Sequence, residues 1–344
     1  MLATTATFPR VLPAPLNGGF RLPDYWVWCG SVVRGDDGRY HMFASRWPKG
    51  ILFHPGWITS SEVVRAVSDT PEGPYEFQEV VLPARGAEYW DGRSTHNPHI
   101  TKHQDTYILY YMGSTHPLGE VLPGQPFSLT DPRSIVGRAN KRIGIATAKS
   151  VFGPWERRDD PVVPTRPATC YSFLTSNPAP CVHADGSVLL AFKSRHYVGN
   201  THNGMMINLA QADHYTGPYR MLENNPAFGP EHLGEIEDPF IWQTGHGYEM
   251  IAKDMLGTLC GEEGAGVHAC SADGAHWQLC ADAKAYSRAV LWEDGVTRMM
   301  GSLERPFLLI QDGRPTHLFA ATADGPGGFE RASHTWNMVI PLGE

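Results

Sequence analysis

The stretch GEIEDPFIWQTGHGYEMIAKD, residues 234–254, sets three carboxylates, Glu235, Glu237 and Asp238, at the head of an otherwise apolar hairpin. Burying a carboxylate costs free energy unless it is paired or used, so acids here mark a place where protons or polar ligands are handled. Two carboxyl groups facing one bond can divide that work. One holds a proton and gives it to the leaving atom, while the other stays ionised and activates water or attacks carbon. Glu237 has the best claim to the proton, because neighbouring acids raise one another's pKa; its structural alternative is a brace to Arg305 or Lys253. Glu304, in LERPFLL beside Arg305, is a candidate second group. Asp24 and Asp91 precede apolar strands and Glu62 opens another, and the sequence does not separate these three. Asp238 precedes Pro239, where an Asp caps a turn as readily as it binds a ligand.

The elements that carry these residues repeat. Five segments share one plan, an apolar run, a tight turn with Asp or Gly, and a second apolar run rich in aromatics. They are VWCGSVVRGDDGRYHMFAS (27–45), NPHITKHQDTYILYYMGS (97–114), NPAPCVHADGSVLLAFKSR (177–195), EDPFIWQTGHGYEMIAKD (237–254) and ERPFLLIQDGRPTHLFAAT (304–322). Turn chemistry and alternation make each a β-hairpin. After four of them a small-residue strand leads into a further turn, in three cases Gly-Pro-aromatic as in EGPYEF, FGPWER and TGPYRM, and then a fourth short strand; the fifth copy, GPGGFERASHTWNMVIPL, is looser. Four antiparallel strands repeated five times predict an all-β, five-bladed β-propeller of one domain, with blades near 24–92, 93–172, 173–230, 231–300 and 301–344. A β-sandwich is the alternative, but it has no need of that turn at one fixed place in each unit. Helix is expected to be nearly absent.

In a propeller the start of the first strand, the end of the second and the start of the third meet at one face of the central channel. That face collects Cys29, Gly30, His96, Asn97, Asn177, Glu237, Asp238, Glu304 and Arg305 from the first strands. It takes Arg46, Trp47, His116, Lys193, Arg195 and Lys253 from the ends of the second strands, and Glu62, Arg142, His202 and His268 from the loops that lead on to the third. The longest loops, RWPKGILFHPGWITSS and Thr115 to Asn140, fall on the same face and are expected to build a pocket. Trp47, Trp57, Trp90 and Tyr89 lie among them, with flat rings suited to sugars or to ordinary blade packing. Asn97 and Asn177 both precede Pro at the same point of successive blades, which suggests a shared backbone geometry first and ligand contact second. His96 and His202 can grip hydroxyls, act as an acid or hold a cation in the channel. Without HxH or HExxH spacing, no metal or other cofactor is expected and an axial cation has little support.

The hairpin EDPFIWQTGHGYEMIAKD resembles the E-G-P-h-x-y-x-x-x-G-x-Y-Y-L signature of family 43 glycoside hydrolases, five-bladed propellers that include arabinanases and β-xylosidases. The resemblance implies a glycosidase in which Glu237 is the general acid. It also implies an Asp base opening blade one and an acid-tuning Asp opening blade two, where this chain has Cys29-Gly30 and Asn97. The expectation is therefore a divergent relative that cleaves an oligosaccharide or glycoside by carboxylate acid–base catalysis. A phosphorylase is the alternative enzyme, with Arg46, Arg142, Lys193, Arg195 and Arg305 as a phosphate site. A non-catalytic carbohydrate-binding propeller is the alternative from another class.

Composition bounds the rest. The chain has 344 residues, 42% hydrophobic and 19% charged, with a formal net charge of −8 and no basic block, which argues against nucleic acid or an anionic membrane as partner. No apolar run reaches the roughly 20 residues that span a bilayer. The opening MLATTATFPRVLPAPLNGG lacks the basic and apolar regions of a secretory signal. Six cysteines without a CxxC pair read as reduced thiols, so a cytoplasmic protein is expected.

Overall fold

A computed structural model of the chain, describing residues 6–325 and 327–343, shows the five repeats as five four-stranded antiparallel sheets in sequence order. The protein is a five-bladed β-propeller. The inner strands are Tyr25–Arg34, Ser94–His103, Leu174–Val182, Ile236–Thr244 and Ser302–Gln311. Each pairs with the next strand of its own blade, and side chains of adjacent blades interlock between the sheets. One such layer joins Phe43 and Val63 of blade one to Ile100, Tyr107, Leu109 and Tyr111 of blade two. Another joins Phe240, Trp242 and Ile251 of blade four to Phe307, Leu308 and Phe319 of blade five.

The Gly-Pro-aromatic turns have a steric reason. Gly73, Gly153 and Gly217 take φ of +89°, +88° and +85°, a conformation that favours glycine, and the aromatic two residues on, Tyr75, Trp155 or Tyr219, lies against the glycine in each case.

The looseness of the fifth copy also has an explanation. Its first three strands are Ser302–Gln311, Arg314–Ala323 and Thr335–Gly343, but its fourth is Arg10–Val11 from the other end of the chain. Arg10 faces Gly343 and Val11 faces Leu342. Leu12 N–H donates to the Pro341 carbonyl at 3.0 Å and Ala14 N–H to the Leu291 carbonyl at 2.8 Å. The N-terminal segment thus closes the ring that the covalent chain leaves open between blades five and one.

Two short helices, Phe53–Ser60 and Pro132–Ala139, stand in the two long loops of blades one and two and pack on each other. The second starts as Asp131-Pro132 dictates: the Asp131 carboxylate accepts the Arg133 N–H at 2.9 Å, and Pro132 occupies the first turn, where no backbone donor is needed. Among the described residues no helix is long and apolar enough to cross a membrane.

Deleting residues 1–13 removes the closing strand and its ladder bonds. At about 0.5–1.5 kcal/mol net per hydrogen bond, the denaturation midpoint in urea should fall clearly while the unfolding slope stays close to that of the full chain. An unchanged midpoint would show that blade five does not need the N-terminal strand.

Candidate functional site

Each inner strand is broken at the same point. Cys29, Asn97, Asn177, Asp238 and Arg305 take left-handed φ of 55°, 52°, 50°, 57° and 52°. The strand register jumps at each of them, between Trp28 and Ser31, His96 and His99, Ser176 and Ala179, Glu237 and Phe240, and Glu304 and Phe307. These are β-bulges, and they re-aim side chains. Consecutive residues of a regular strand face opposite sides, yet Glu237 and Asp238 both line one cavity, as do Trp28 and Cys29 and also His96 and Asn97. In four blades the bulged residue precedes Pro; in blade one it precedes Gly30, whose N–H donates to Asn337 Oδ1 at 2.8 Å. A Cβ at Gly30 would meet the Asn337 amide carbon at 2.7 Å, which excludes a larger residue there.

Four of the bulged residues, Cys29, Asn97, Asn177 and Asp238, form the floor of a cavity of about 490 Å³ at the channel mouth, and the fifth, Arg305, lies buried beneath it. Cys29 Sγ donates to Asn97 Oδ1 at 2.7 Å, the Asn177 amide donates to Asp238, and the Arg305 N–H donates to Asp238 Oδ2 at 3.2 Å. The Arg305 guanidinium reaches across to the carbonyls of Asn97 at 3.3 Å and Pro178 at 2.9 Å.

Above this floor the charges alternate. Lys193 of blade three is paired with Glu237 of blade four, and Lys253 of blade four with Glu304 of blade five at 2.5 Å. Burial works to raise the Glu237 carboxyl, but Lys193 and Lys253 outweigh it and hold the group down at about 2. The expectation that Glu237 is kept protonated is thus reversed: the ammonium beside it matters more than the acids around it. Its brace partner is Lys193, neither Arg305 nor Lys253. Asp238 goes the other way. Burial and the Glu237 charge raise it to about 6 against the pull of Arg305. His96 lies between Cys29 Sγ at 3.7 Å and Ser61 Oγ at 2.9 Å, and burial, then Lys141 and Arg305, keep its ring neutral. Burial raises the Cys29 thiol well above its usual range, so it is no thiolate nucleophile in this state.

Of the other residues singled out in the sequence, Asn97, Asn177, Lys193, Arg195, Lys253, Glu304 and Trp57 line the cavity. Several do not. Asp91 is wholly buried between blades, bound by Arg85 Nε at 2.6 Å and the Tyr111 hydroxyl at 2.7 Å. Glu62 accepts from Arg46 Nε at 2.9 Å, and Arg46 is sandwiched by the rings of Tyr25 and Phe77 at 4.1 and 4.3 Å, so both brace blade one. Asp24 is exposed ahead of its strand. Trp47 is fully buried and stacks on Phe53, Trp90 stacks on Tyr111, and Tyr89 lies under Arg85. His116 is buried outside the cavity, Arg142 donates to the carbonyls of Ala139 and Lys141, and His268 pairs with Glu249 inside blade four. His202 stacks on Phe173 and stands behind Arg195, 3.2 Å from its guanidinium. The five cations of the phosphate alternative are not brought together, since only Lys193 and Arg195 of them line the cavity.

The cavity also holds residues the sequence reading passed over, among them Trp28, His54, Arg138, Met205, Glu263, Phe329 and Glu330. Arg138 had a usable signal. Asp131-Pro132 followed by RSIVGRAN is a helix start, and a helix in that loop brings its last turn back over the mouth. A larger cavity of about 1050 Å³ lies among the outer loops of blades three and four, lined by His196, Asn203 and Trp277 and by none of the lysine-paired acids.

No protein-family model matches the sequence, and neither does any curated protein. Solved structures do match in shape. Zg3597, a family 117 glycoside hydrolase of the marine bacterium Zobellia galactanivorans, superposes with a TM-score of 0.66 at 16% identity over 97% of this chain and 89% of its own. A thermostable family-43 glycoside hydrolase gives 0.58 at 12% identity over 93% and 91%. An exo-1,5-α-L-arabinanase from a bovine ruminal metagenomic library gives 0.55 at 17% over 92% of each chain. The chain shares the propeller fold of known glycoside hydrolases. At these identities the likeness is one of fold.

The Asp238 carboxyl is raised in the fold from about 3.9 in an unfolded chain to about 6. Between those values the folded state binds more protons than the unfolded one, so this residue lowers stability as pH rises from about 4 to 6 and adds no further change above. The stability difference between Asp238→Asn and wild type should therefore move in the variant's favour across that window and level off by pH 7. Urea melts at four pH values measure it, and a pH-independent difference would contradict the raised carboxyl.

Proposed function

We propose that the protein is a glycoside hydrolase acting on an oligosaccharide or glycoside in the cavity at the channel mouth. One observation carries the reading: Glu237 and Asp238, adjacent and turned into one cavity, have environments that push their protonation in opposite directions. A pair of titratable groups driven apart in this way is the signature of divided acid and base roles. Glu237, kept ionised by Lys193, serves as nucleophile or water-activating base. Asp238 holds the proton that goes to the leaving oxygen, one residue along from where the family resemblance implies it. Lys253 neutralises Glu304, which leaves that carboxylate to orient a hydroxyl. Trp28 and Trp57 give the cavity flat apolar walls for a sugar ring. The fold shared with glycoside hydrolases supports the same reading. A cytoplasmic location belongs to the proposal, motivated by only six cysteines in 344 residues, spaced without a CxxC pair.

The roles are separable by kinetics. Glu237→Gln should lower turnover by about 10²–10⁴-fold, and to the same extent for aryl glycosides with good and poor leaving groups, because the lost group does not protonate the leaving oxygen. Asp238→Asn should spare the substrates with the most acidic leaving groups. A Glu237→Gln variant that spares those substrates instead would return the acid role to Glu237. Binding of glycans by calorimetry with no release of reducing sugar at any pH would overturn the enzyme reading.

A further inference from the structure

The charges of the cavity do not balance from wall to wall. Lys193 and Lys253 each have a glutamate, while beneath the floor the Arg305 guanidinium donates to two carbonyls and its backbone N–H donates to Asp238. Arg138 and Arg195 line the same cavity, and among the described residues neither forms an ion pair with a carboxylate. Arg195 is held from behind by the Asn203 carbonyl at 2.6 Å and by His202. Arg138 is delivered by the last turn of helix Pro132–Ala139, whose Gly137 packs against Ile58 of the other insertion helix. Behind them the buried ammonium of Lys141 sits 3.8 Å over the Trp57 ring.

Arg138, Lys193 and Arg195, with the buried Lys141 behind them, thus gather around Glu237, and Glu235 is the other carboxylate that acts on Arg195. The cost of that crowding shows in the groups themselves. Burial, then the charge of Arg195, lowers Arg138, and burial, then Lys193 and Arg138, lowers Lys141 well below its usual range. The opposite rim carries the reverse sign, for Glu263 and Glu330 of blades four and five line the cavity, are exposed, and make no ion pair among the described residues.

We propose that Arg138 and Arg195, with Lys193 beside them, form a subsite for an oxyanion carried by the sugar substrate, the carboxylate of a uronic acid residue or a sulfate or phosphate ester. This deepens the glycosidase reading and rests on its premise that the cavity binds a carbohydrate. Two guanidinium groups match the planar or forked oxygens of such a group bidentately, and a ligand charge supplies the counter-ion that the protein itself omits. The acidic rim repels the same group, so it sets the direction in which the sugar enters. A neutral glycan would leave the crowded cations uncompensated, which makes the cavity selective by charge.

The test uses calorimetry on the full chain carrying Asp238→Asn, which removes the proposed proton donor so that binding is read without turnover and keeps the Glu237 charge beside Lys193. Oligogalacturonate and oligoglucuronate are compared with their carboxyl-reduced forms, and sulfated and phosphorylated oligosaccharides with their desulfated and dephosphorylated forms. The acidic member of at least one pair should bind about ten- to hundredfold more tightly, the range of one or two charge-assisted hydrogen bonds; which pair responds identifies the oxyanion. Adding Arg138→Gln should abolish that preference and leave the neutral form's affinity as it was, and Arg138→Lys should restore part of it. Equal binding within every pair, or equal loss of acidic and neutral ligands in Arg138→Gln at an unchanged melting temperature, would overturn the subsite. So would turnover by the wild type that requires free phosphate and yields a sugar phosphate, because the anion would then be a co-substrate. Charge-selective binding with no cleavage by the wild type would sink the hydrolase reading and leave the subsite standing. Cleavage of neutral glycans without charge preference would do the reverse.

Discussion

The site depends on one backbone constraint, the left-handed residue that interrupts every inner strand. For an L-residue that conformation costs about 1–2 kcal/mol, and it recurs five times around the channel, at Cys29, Asn97, Asn177, Asp238 and Arg305. Asn and Asp tolerate it best; Cys and Arg do not, and their presence indicates that the surrounding blades enforce the geometry. The gain is that two successive side chains in a strand turn into the same space. Without the break, Glu237 and Asp238 would face opposite sides of blade four. With it, the two acids share a cavity, and their protonation is coupled through a distance set by one peptide unit.

The bulges also decide how the buried charges are settled. Five side chains brought together near the axis are satisfied by one another and by nearby backbone, Cys29 donating to Asn97, Asn177 and the Arg305 N–H donating to Asp238, and the Arg305 guanidinium donating to the Asn97 and Pro178 carbonyls. The layer above uses ion pairs between blades, Lys193 to Glu237 and Lys253 to Glu304. A buried ion pair adds little net stability, since desolvation offsets the attraction, but losing one partner leaves a stranded charge at a cost of about 3–5 kcal/mol. These pairs thus lock the protonation state of the site more than they hold the fold. The fold is held by the apolar layers between blades and by the N-terminal strand that closes the ring.

Two inserted helices complete the cavity from above. They occupy the loops of blades one and two only, so the mouth is roofed on one side, and the residues they bring, His54, Trp57 and Arg138, differ in kind from the acids that blades four and five supply. The cavity is asymmetric as a result, cationic and aromatic on one wall and acidic on the other. A symmetric ring of blades could not orient a substrate, and the insertions are what remove the symmetry.

The sequence by itself determined the architecture, because a propeller is written in local signals. Hairpin alternation, the Asp-Gly turns and the Gly-Pro-aromatic turns each depend on residues within a few positions of one another, and their repetition names the fold. It also pointed to the mouth of blade four, since Glu237, Asp238, Lys253 and Glu304 lie at strand positions that any propeller brings to one face. Only the tertiary structure decided which acids are available. Asp91 and Glu62 have the same kind of side chain and a similar place in their repeats, but Arg85 and Arg46 take them for bracing, and those partners lie in side-chain directions no local rule specifies. The same holds for the tryptophans: Trp47 went under a helix and Trp28 into the cavity, because the bulge beside it shifted the face of the strand. The outer strand of blade five came from residues 10–11, a pairing across the length of the chain. Above all, the protonation of Glu237 was set by Lys193, 44 residues earlier and in another blade. Charge interactions fall off with distance in space, and only the fold converts separation along the chain into that distance.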